Sequence, residues 1–323
     1  MKWMKRSALI LVLLLLAVYP LVGDPYFTHL IILSLIWAVV ASAWNLIMGY
    51  AGIHSFAQLA FFAIGAYASS MLEILAGVNP WVALPLGGLL TALTGLIIAF
   101  PCLRLKGLYI VLVTVAFHQV IPVFIKLAGD WTGGDVGLVG MPHYVFFGFN
   151  FGRSKLGYYY LAFFLFLAMQ YAMYRIIHSR IGLAFVALRD AEPFAESLGV
   201  NRTKFNIVVF VISSFITGTM GALYVHYLKV ATPRLLELES FSESIMMVVI
   251  GGLGQFPGAI VGAFLVTFVN EFLRTAGLIR PIFFGGIIIL VIILFPEGLS
   301  GLIRSLNDWF GRLFRPSTAQ PNG

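Results

Sequence analysis

The sequence predicts an all-α integral membrane protein with about ten transmembrane helices, one of them short and broken. Three observations carry that expectation. Hydrophobic types make up 60% of the 323 residues and charged types only 10%, against roughly 25% charged in a soluble domain. So few charges cannot cover a particle of this size in water, whereas lipid tolerates such a surface. Apolar runs of about 20 residues recur, the length that an α-helix rising about 1.5 Å per residue needs to cross the hydrocarbon. Finally, the net charge of +7 resides in short connections between these runs, where Lys and Arg report topology rather than nucleic-acid binding.

The elements follow in order, as one polytopic domain over residues 1–315 and a polar, disordered tail over 316–323. Lys2, Lys5 and Arg6 precede an apolar stretch, as in a secretory leader. No A-x-A cleavage site follows, and Tyr19–Pro20–Leu21–Val22 prolongs the run, so residues 7–22 read as a retained first span. The second span is 29–48, followed by a glycine-containing break, Gly49–Tyr50–Ala51–Gly52–Ile53–His54. The third is 56–76, with Asn79–Pro80 ending the turn after it. The fourth is 81–100, stopped by Pro101, with the lone Cys102 at its end. The fifth is 108–127. A loop rich in Gly and aromatic residues covers 128–156, and the sixth span is 157–177. A hydrophilic stretch, 178–206, precedes the seventh at 207–227. A short apolar stretch at 244–253 is followed by spans at 256–272 and 281–295 and a basic segment, 298–315.

Charge resolves the short stretch. The basic N-terminus is expected in the cytoplasm, and alternation then places Arg104, Lys106 and the region from Arg175 to Lys204 inside, with Asp130 and Asp135 outside. If 244–253 also crosses, Arg304, Arg312 and Arg315 land inside and both termini are cytoplasmic. Two glycine-broken segments then occur, at Gly49 to Ser55 and at Gly251 to Gly258, each followed by a run of small residues. Paired interruptions point to a two-fold internal repeat and to a substrate path, because irregular backbone at membrane depth must be buried in protein or line a wet cavity. Any single glycine is explained by helix packing. The path candidates are Gly52, Ser55, Gln58, His118, Gly251, Gly252 and Gly254. For His118, as for Asn45, Gln58, His226, Asn270 and Glu271, an interhelical hydrogen bond is the favoured reading over substrate contact.

The most informative segment is 178–206, where Arg180, Arg189, Asp190, Glu192, Glu196, Arg202 and Lys204 mix with Leu183, Phe185, Leu188, Phe194 and Leu198 at helical spacing. Asp190 reads as an N-cap with Glu192 in the first turn, and Gly199 as the stop. The spacing predicts a short amphipathic helix over 191–198 on the cytoplasmic face. Lipid would want Lys and Arg on the polar side of such a helix. Glu192 and Glu196 fit a groove on a protein partner better.

The run Leu188–Arg189–Asp190–Ala191–Glu192, with Ser197–Leu198–Gly199–Val200–Asn201 and Lys204, resembles the cytoplasmic coupling loop of ABC-importer permeases for branched-chain amino acids. The resemblance extends to Asn45–Leu46, Gly49–Tyr50–Ala51–Gly52, Gly65–Ala66–Tyr67, Gly107–Leu108–Tyr109, Thr132–Gly133–Gly134, Met247 to Gly254 and Phe295–Pro296–Glu297–Gly298. It covers most of residues 33–299 and is nearest to the M-type permeases. It implies a bacterial inner-membrane translocator that pairs with a second permease, two cytoplasmic ATPase subunits and a periplasmic substrate-binding protein. By that resemblance Arg189, Asp190, Glu192, Ala195, Glu196, Gly199 and Lys204 couple the chain to the ATPases, and leucine, isoleucine or valine is the cargo. Urea, short amides or other hydrophobic amino acids are the rival cargoes.

The residues themselves exclude several chemistries. No G-x-x-x-x-G-K-[ST] occurs to cradle nucleotide phosphates, no His/Cys/Asp set has metal-site spacing, and no nucleophile elbow is present. No catalytic residue, cofactor or metal is therefore expected. A proton-driven carrier would bury coupling acids near the midplane, and the sequence offers almost none. Glu237, Glu239 and Glu243 form an outer acidic group that reads equally as a docking surface or a solvated loop.

Overall fold

The computed structural model describes residues 2–146 and 148–274, with 277, 282, 283, 285, 286, 289, 290 and 293 beyond them. The expected span at 281–295, the basic segment 298–315 and the tail lie essentially outside the described residues.

Helices form where the apolar runs predict them, and their ends carry recognisable caps. The helices are α1 (Lys2–Val22), α2 (Pro25–Asn45), α3 (Gln58–Ile74), α4 (Pro80–Leu103), α5 (Leu108–Leu127), the single turn α6 (Gly129–Thr132), α7 (Lys155–Ile177), α8 (Arg180–Ser197), α9 (Arg202–Leu228), α10 (Leu238–Gly251) and α11 (Gly258–Phe272). Asp24, Asn79, Ser154, Ser179 and Asn201 each accept a backbone N–H as N-cap of the helix that follows. Pro25 and Pro80 occupy first helical positions, where the missing N–H costs nothing. Among the described residues five helical segments are long and apolar enough to cross a membrane, and α3 and α11 are shorter apolar helices. The only strands described are four two-residue pieces, β1 (Leu138–Val139) paired with β4 (Val230–Ala231) and β2 (Val145–Phe146) paired with β3 (Phe149–Asn150). The molecule is thus an all-α, multi-pass membrane protein.

Several boundaries depart from expectation: α1 begins at Lys2 rather than residue 7, α9 at Arg202 rather than 207 and α10 at Leu238 rather than 244, and two further departures concern proline and the first break. Pro101 was expected to stop the fourth span, yet α4 continues to Leu103. A proline costs the bond to residue i−4 and bends the helix, but one turn from the end that loss is small. The second span does not simply stop near Gly49. A π-helical turn, Leu46–Tyr50, extends α2 before the chain runs irregularly to Ala57.

Contacts at both ends fix the helix directions. Tyr26 Oη donates to Glu271 at 2.6 Å, and Gly254 N–H donates to Asn45 Oδ1 at 2.8 Å, so α2 and α11 are antiparallel. Lys155 reaches the Pro25 carbonyl at 3.0 Å and Gln170 reaches Ser42 at 2.9 Å, so α2 and α7 are parallel. Gln58 meets Ser213 and Thr217 while Glu73 meets His226, which makes α3 and α9 parallel. Their packing is close because the contact is made of small residues. A Cβ at Gly65 would fall 2.1 Å from the Gly218 carbonyl oxygen, and one at Gly218 would fall 2.3 Å from Thr91 Oγ1 of α4. Gly262 of α11 presses on the Met247 carbonyl of α10 in the same way. The core runs along α2, α3 and α9, with Trp44, Phe61, Phe62 and Phe210 among its largest fully buried side chains.

Candidate functional site

One end of the bundle collects the two glycine breaks, the α4–α5 connection and the charged segment between α7 and α9. Ser179 opens this segment: its Oγ accepts from Ile181 N–H at 3.1 Å. The helix therefore starts at Arg180, eleven residues before the expected start at Ala191. Ala191 instead carries non-helical angles, φ −151° and ψ 68°, and divides α8 into two arms. Pro193 explains the division, since it has no N–H for the Arg189 carbonyl and its ring crowds that oxygen. Asp190 does not cap the second arm. Its carboxylate takes the Arg189 guanidinium at 2.8 Å, and this pairing holds the carboxyl below its usual range. Gly199 closes the second arm with φ +87°, and Val200 N–H reaches the Ala195 carbonyl at 3.1 Å, a left-handed C-terminal cap that suits glycine. Asn201 then caps α9 through Lys204 N–H.

The first arm buries Gly182, Ala184, Phe185 and Leu188, with the Phe185 ring edge-on to Phe205 at 6.2 Å. The second arm buries Ala195 but leaves Phe194 67% and Leu198 69% exposed. These two lie four residues apart, hence on one face, and were not among the expected coupling residues. Glu192, expected to face a partner, is instead paired within the chain: it binds Lys106 at 3.0 Å and Arg202 at 3.3 Å. Glu196 and Lys204 are exposed.

Arg189 joins this segment to the membrane breaks. Its Nη1 donates to the Gly49 carbonyl at 2.7 Å, a group released from helical bonding by the π-turn. A Cβ at Gly52 would lie 2.5 Å from Arg189 Cγ, and one at Gly254 would lie 3.1 Å from Arg189 Nη1. Both glycines also have positive φ, +69° and +71°. Thus the two breaks, whose Gly52 and Gly254 lie 202 residues apart in sequence, touch one side chain from the charged segment. Gly251 ends α10 against the Gly258 backbone, and Gly252 caps it with φ +100°.

The remaining path candidates are enclosed. Ser55 is 1% exposed, and its carbonyl accepts the Trp44 indole N–H at 2.8 Å. Gln58 is fully buried between Ser213 and Thr217. His118 is 2% exposed and stacks on Phe241 with centroids 4.8 Å apart. Gln58 and His118 thus make interhelical contacts, and Ser55 ties the irregular segment back to α2. Among the described residues no group of three or more His, Cys, Asp or Glu is placed to hold a metal.

At the opposite end sits a buried pair of which sequence reading named only His226, as an interhelical hydrogen-bonding residue. Glu73 of α3 and His226 of α9 meet with neither side chain exposed. Tyr144 covers the imidazole at a centroid distance of 5.0 Å.

Residues 26–296 match the model of the branched-chain amino acid transport system permease component family. The chain belongs to that family. The permease is 27% identical to the high-affinity branched-chain amino acid transport system permease protein LivM of Salmonella typhimurium and 28% identical to LivM of Escherichia coli. Each alignment covers 93% of this chain and 76% of the relative. It is also 25% identical to the ribose import permease protein RbsC of Escherichia coli, over 85% of this chain and 87% of that one. No solved structure matches the permease. The LivM relatives agree with the M-type resemblance read from the motifs.

Proposed function

We propose that this permease is the membrane subunit of an ATP-driven importer for branched-chain amino acids, working in the bacterial inner membrane with a second permease, two cytoplasmic ATPase subunits and a soluble substrate-binding protein. It performs no covalent chemistry. Its work is mechanical, and residues 178–206 receive the stroke. Phe194 and Leu198 present an apolar knob beside Glu196, suited to a groove on an ATPase subunit. The observation that carries the reading is the Arg189–Gly49 hydrogen bond, because it makes the charged loop and the irregular membrane backbone one mechanical unit. Helix directions in the described region are consistent with ten crossings, both termini cytoplasmic and the last crossing at 281–295. Leucine, isoleucine and valine are the preferred cargo because the LivM relatives align over nearly the whole chain.

A proton-driven carrier is the second reading, favoured by the buried Glu73–His226 pair. The two are separated by leucine uptake into proteoliposomes holding the permease with its partner subunits. Uptake that requires ATP, stops with vanadate and ignores an imposed proton gradient is expected. Uptake that persists without ATP but collapses with the gradient overturns the proposal.

A further inference from the structure

Asn45 stands where α2 gives way to its π-helical turn, and it is 2% exposed. Both halves of its amide are engaged across 209 and 210 residues of sequence: Oδ1 accepts Gly254 N–H at 2.8 Å, and Nδ2 donates to the Gln255 carbonyl at 3.0 Å. These backbone groups lie in the turn that joins α10 to α11. Four residues along, Gly49 admits the same turn. A Cβ there would lie 2.1 Å from Asn45 Oδ1 and 2.2 Å from Gly254 N. Arg189 closes the arrangement from the cytoplasmic side, bound to Gly49 and beside Gly254.

We infer that Asn45 is a positioning residue that clasps the two glycine breaks into one rigid body, so that a displacement delivered through Arg189 moves both breaks together. The chemistry singles out this residue. An amide supplies a donor and an acceptor from one short side chain, which the adjacent Gly254 N–H and Gln255 carbonyl require. Aspartate keeps the bond to Gly254 but turns an anion toward a carbonyl oxygen. Leucine fills the space and offers neither bond. A single contact at Gly49 would let Arg189 drag only the first break. With the clasp, the α10–α11 turn follows, and the passage between the breaks opens or closes as a unit.

The inference rests on the coupling role proposed above, and its test separates the two. In a Cys102→Ser background, single cysteines are placed at His54 and at Leu253, both exposed and one in each break. The assembled transporter is labelled with a small maleimide, with and without vanadate trapping. With Asn45 present, both positions change labelling rate on trapping. In Asn45→Asp and Asn45→Leu only His54→Cys responds, and ATP consumed per leucine imported rises about tenfold, the size of an ordinary coupling term. Asn45→Gln, which retains both functions, restores part of the concerted response. If the two positions respond independently with Asn45 intact, or still move together in Asn45→Leu, the clasp is wrong even where ATP-driven uptake stands. The parent measurement alone decides this should a variant fail to fold. Loss of leucine uptake with concerted labelling preserved sinks the cargo assignment and leaves the clasp.

Discussion

The carboxylate of Glu73 faces Nε2 of His226 at a place where neither side chain meets solvent. The other ring nitrogen, Nδ1, lies against the Ala222 carbonyl one turn back on α9. A carbonyl only accepts, so Nδ1 is the donor there and Nε2 is the nitrogen turned to the carboxylate. Tyr144 covers the imidazole, and Tyr158 of α7 meets Tyr144 edge-on at 5.9 Å. Lys229, just past α9, has its Nζ held by the Met141 and Pro142 carbonyls at 2.9 and 2.8 Å. The pair ties the far ends of two helices that run in parallel.

Glu73→Ala or His226→Leu leaves the surviving partner buried without its counterpart, and each is expected to cost about 3–5 kcal/mol. Glu73→Gln keeps a hydrogen bond, because its amide donates to Nε2, and is expected to stay within about 1 kcal/mol of the parent. Thermal unfolding of purified protein in detergent distinguishes them. A Glu73→Ala variant that unfolds at the parent temperature would show that the contact contributes nothing.

How far the sequence disclosed this molecule depends on the range of the interaction. Residues 108–127 were read as a span and form α5 with those bounds, because Gly107 and the apolar run are local signals. Gly199 was legible as a helix stop for the same reason. The sequence places the helix start at Ala191, where the structure has a bend, because Asp190 resembles a cap, while the cap in use, Ser179, precedes a stretch whose charges obscure its helical spacing. Long-range partners left no trace. Glu73 and His226 are 153 residues apart, and nothing in either neighbourhood announces the other. The sequence offers Arg189 as a coupling candidate and the glycines as path candidates, but not their contact, because that requires knowing that the two breaks share one end of the bundle.

Coupling is expected to fail at the exposed face of the second arm. Phe194→Ser with Leu198→Ser removes apolar surface that the permease itself does not bury, so folding is preserved and uptake falls at least about tenfold, consistent with loss of an interface hot spot. Glu192→Lys should uncouple by another route. It sets a third cation beside Lys106 and Arg202 and frees α8 from the α4–α5 connection. Comparing ATP hydrolysis with leucine uptake in the assembled complex checks both, and parental uptake by either variant at normal levels rules out its part of the mechanism.

Lys229 supplies a pH signature outside the spans. Burial pushes its ammonium down to about 8 from the ordinary 10.5. The folded protein therefore gives up this proton first, and the penalty of holding the charge is lifted as pH rises from about 8 toward 10.5. Lys229 is half-buried, so screening leaves an effect of order 1 kcal/mol. Relative to Lys229→Met, which has no charge to lose, the parent should gain stability between pH 8 and 10. A parent midpoint that stays level with, or falls relative to, that of Lys229→Met over that window contradicts the assignment.

The membrane orientation is open to a direct measurement, because the parent has a single cysteine, Cys102, and it is buried at 3% exposure. In Cys102→Ser, a cysteine replacing Asp130 lies on the loop after α5, and one replacing Glu196 lies on the second arm of α8. The Arg189 and Lys106 contacts put α8 at the end of the bundle shared by both glycine breaks. The loop after α5 lies at the other end, held to the end of α9 by the β1–β4 pairing and by Lys229. The basic N-terminal residues assign α8's end to the cytoplasm. A membrane-impermeant maleimide added to intact cells stripped of their outer membrane should label the Asp130 position and spare the Glu196 position until the membrane is broken. Labelling of the Glu196 position from outside would invert the molecule and remove the ATPase subunits from reach of Phe194 and Leu198, and the coupling mechanism would fall with it.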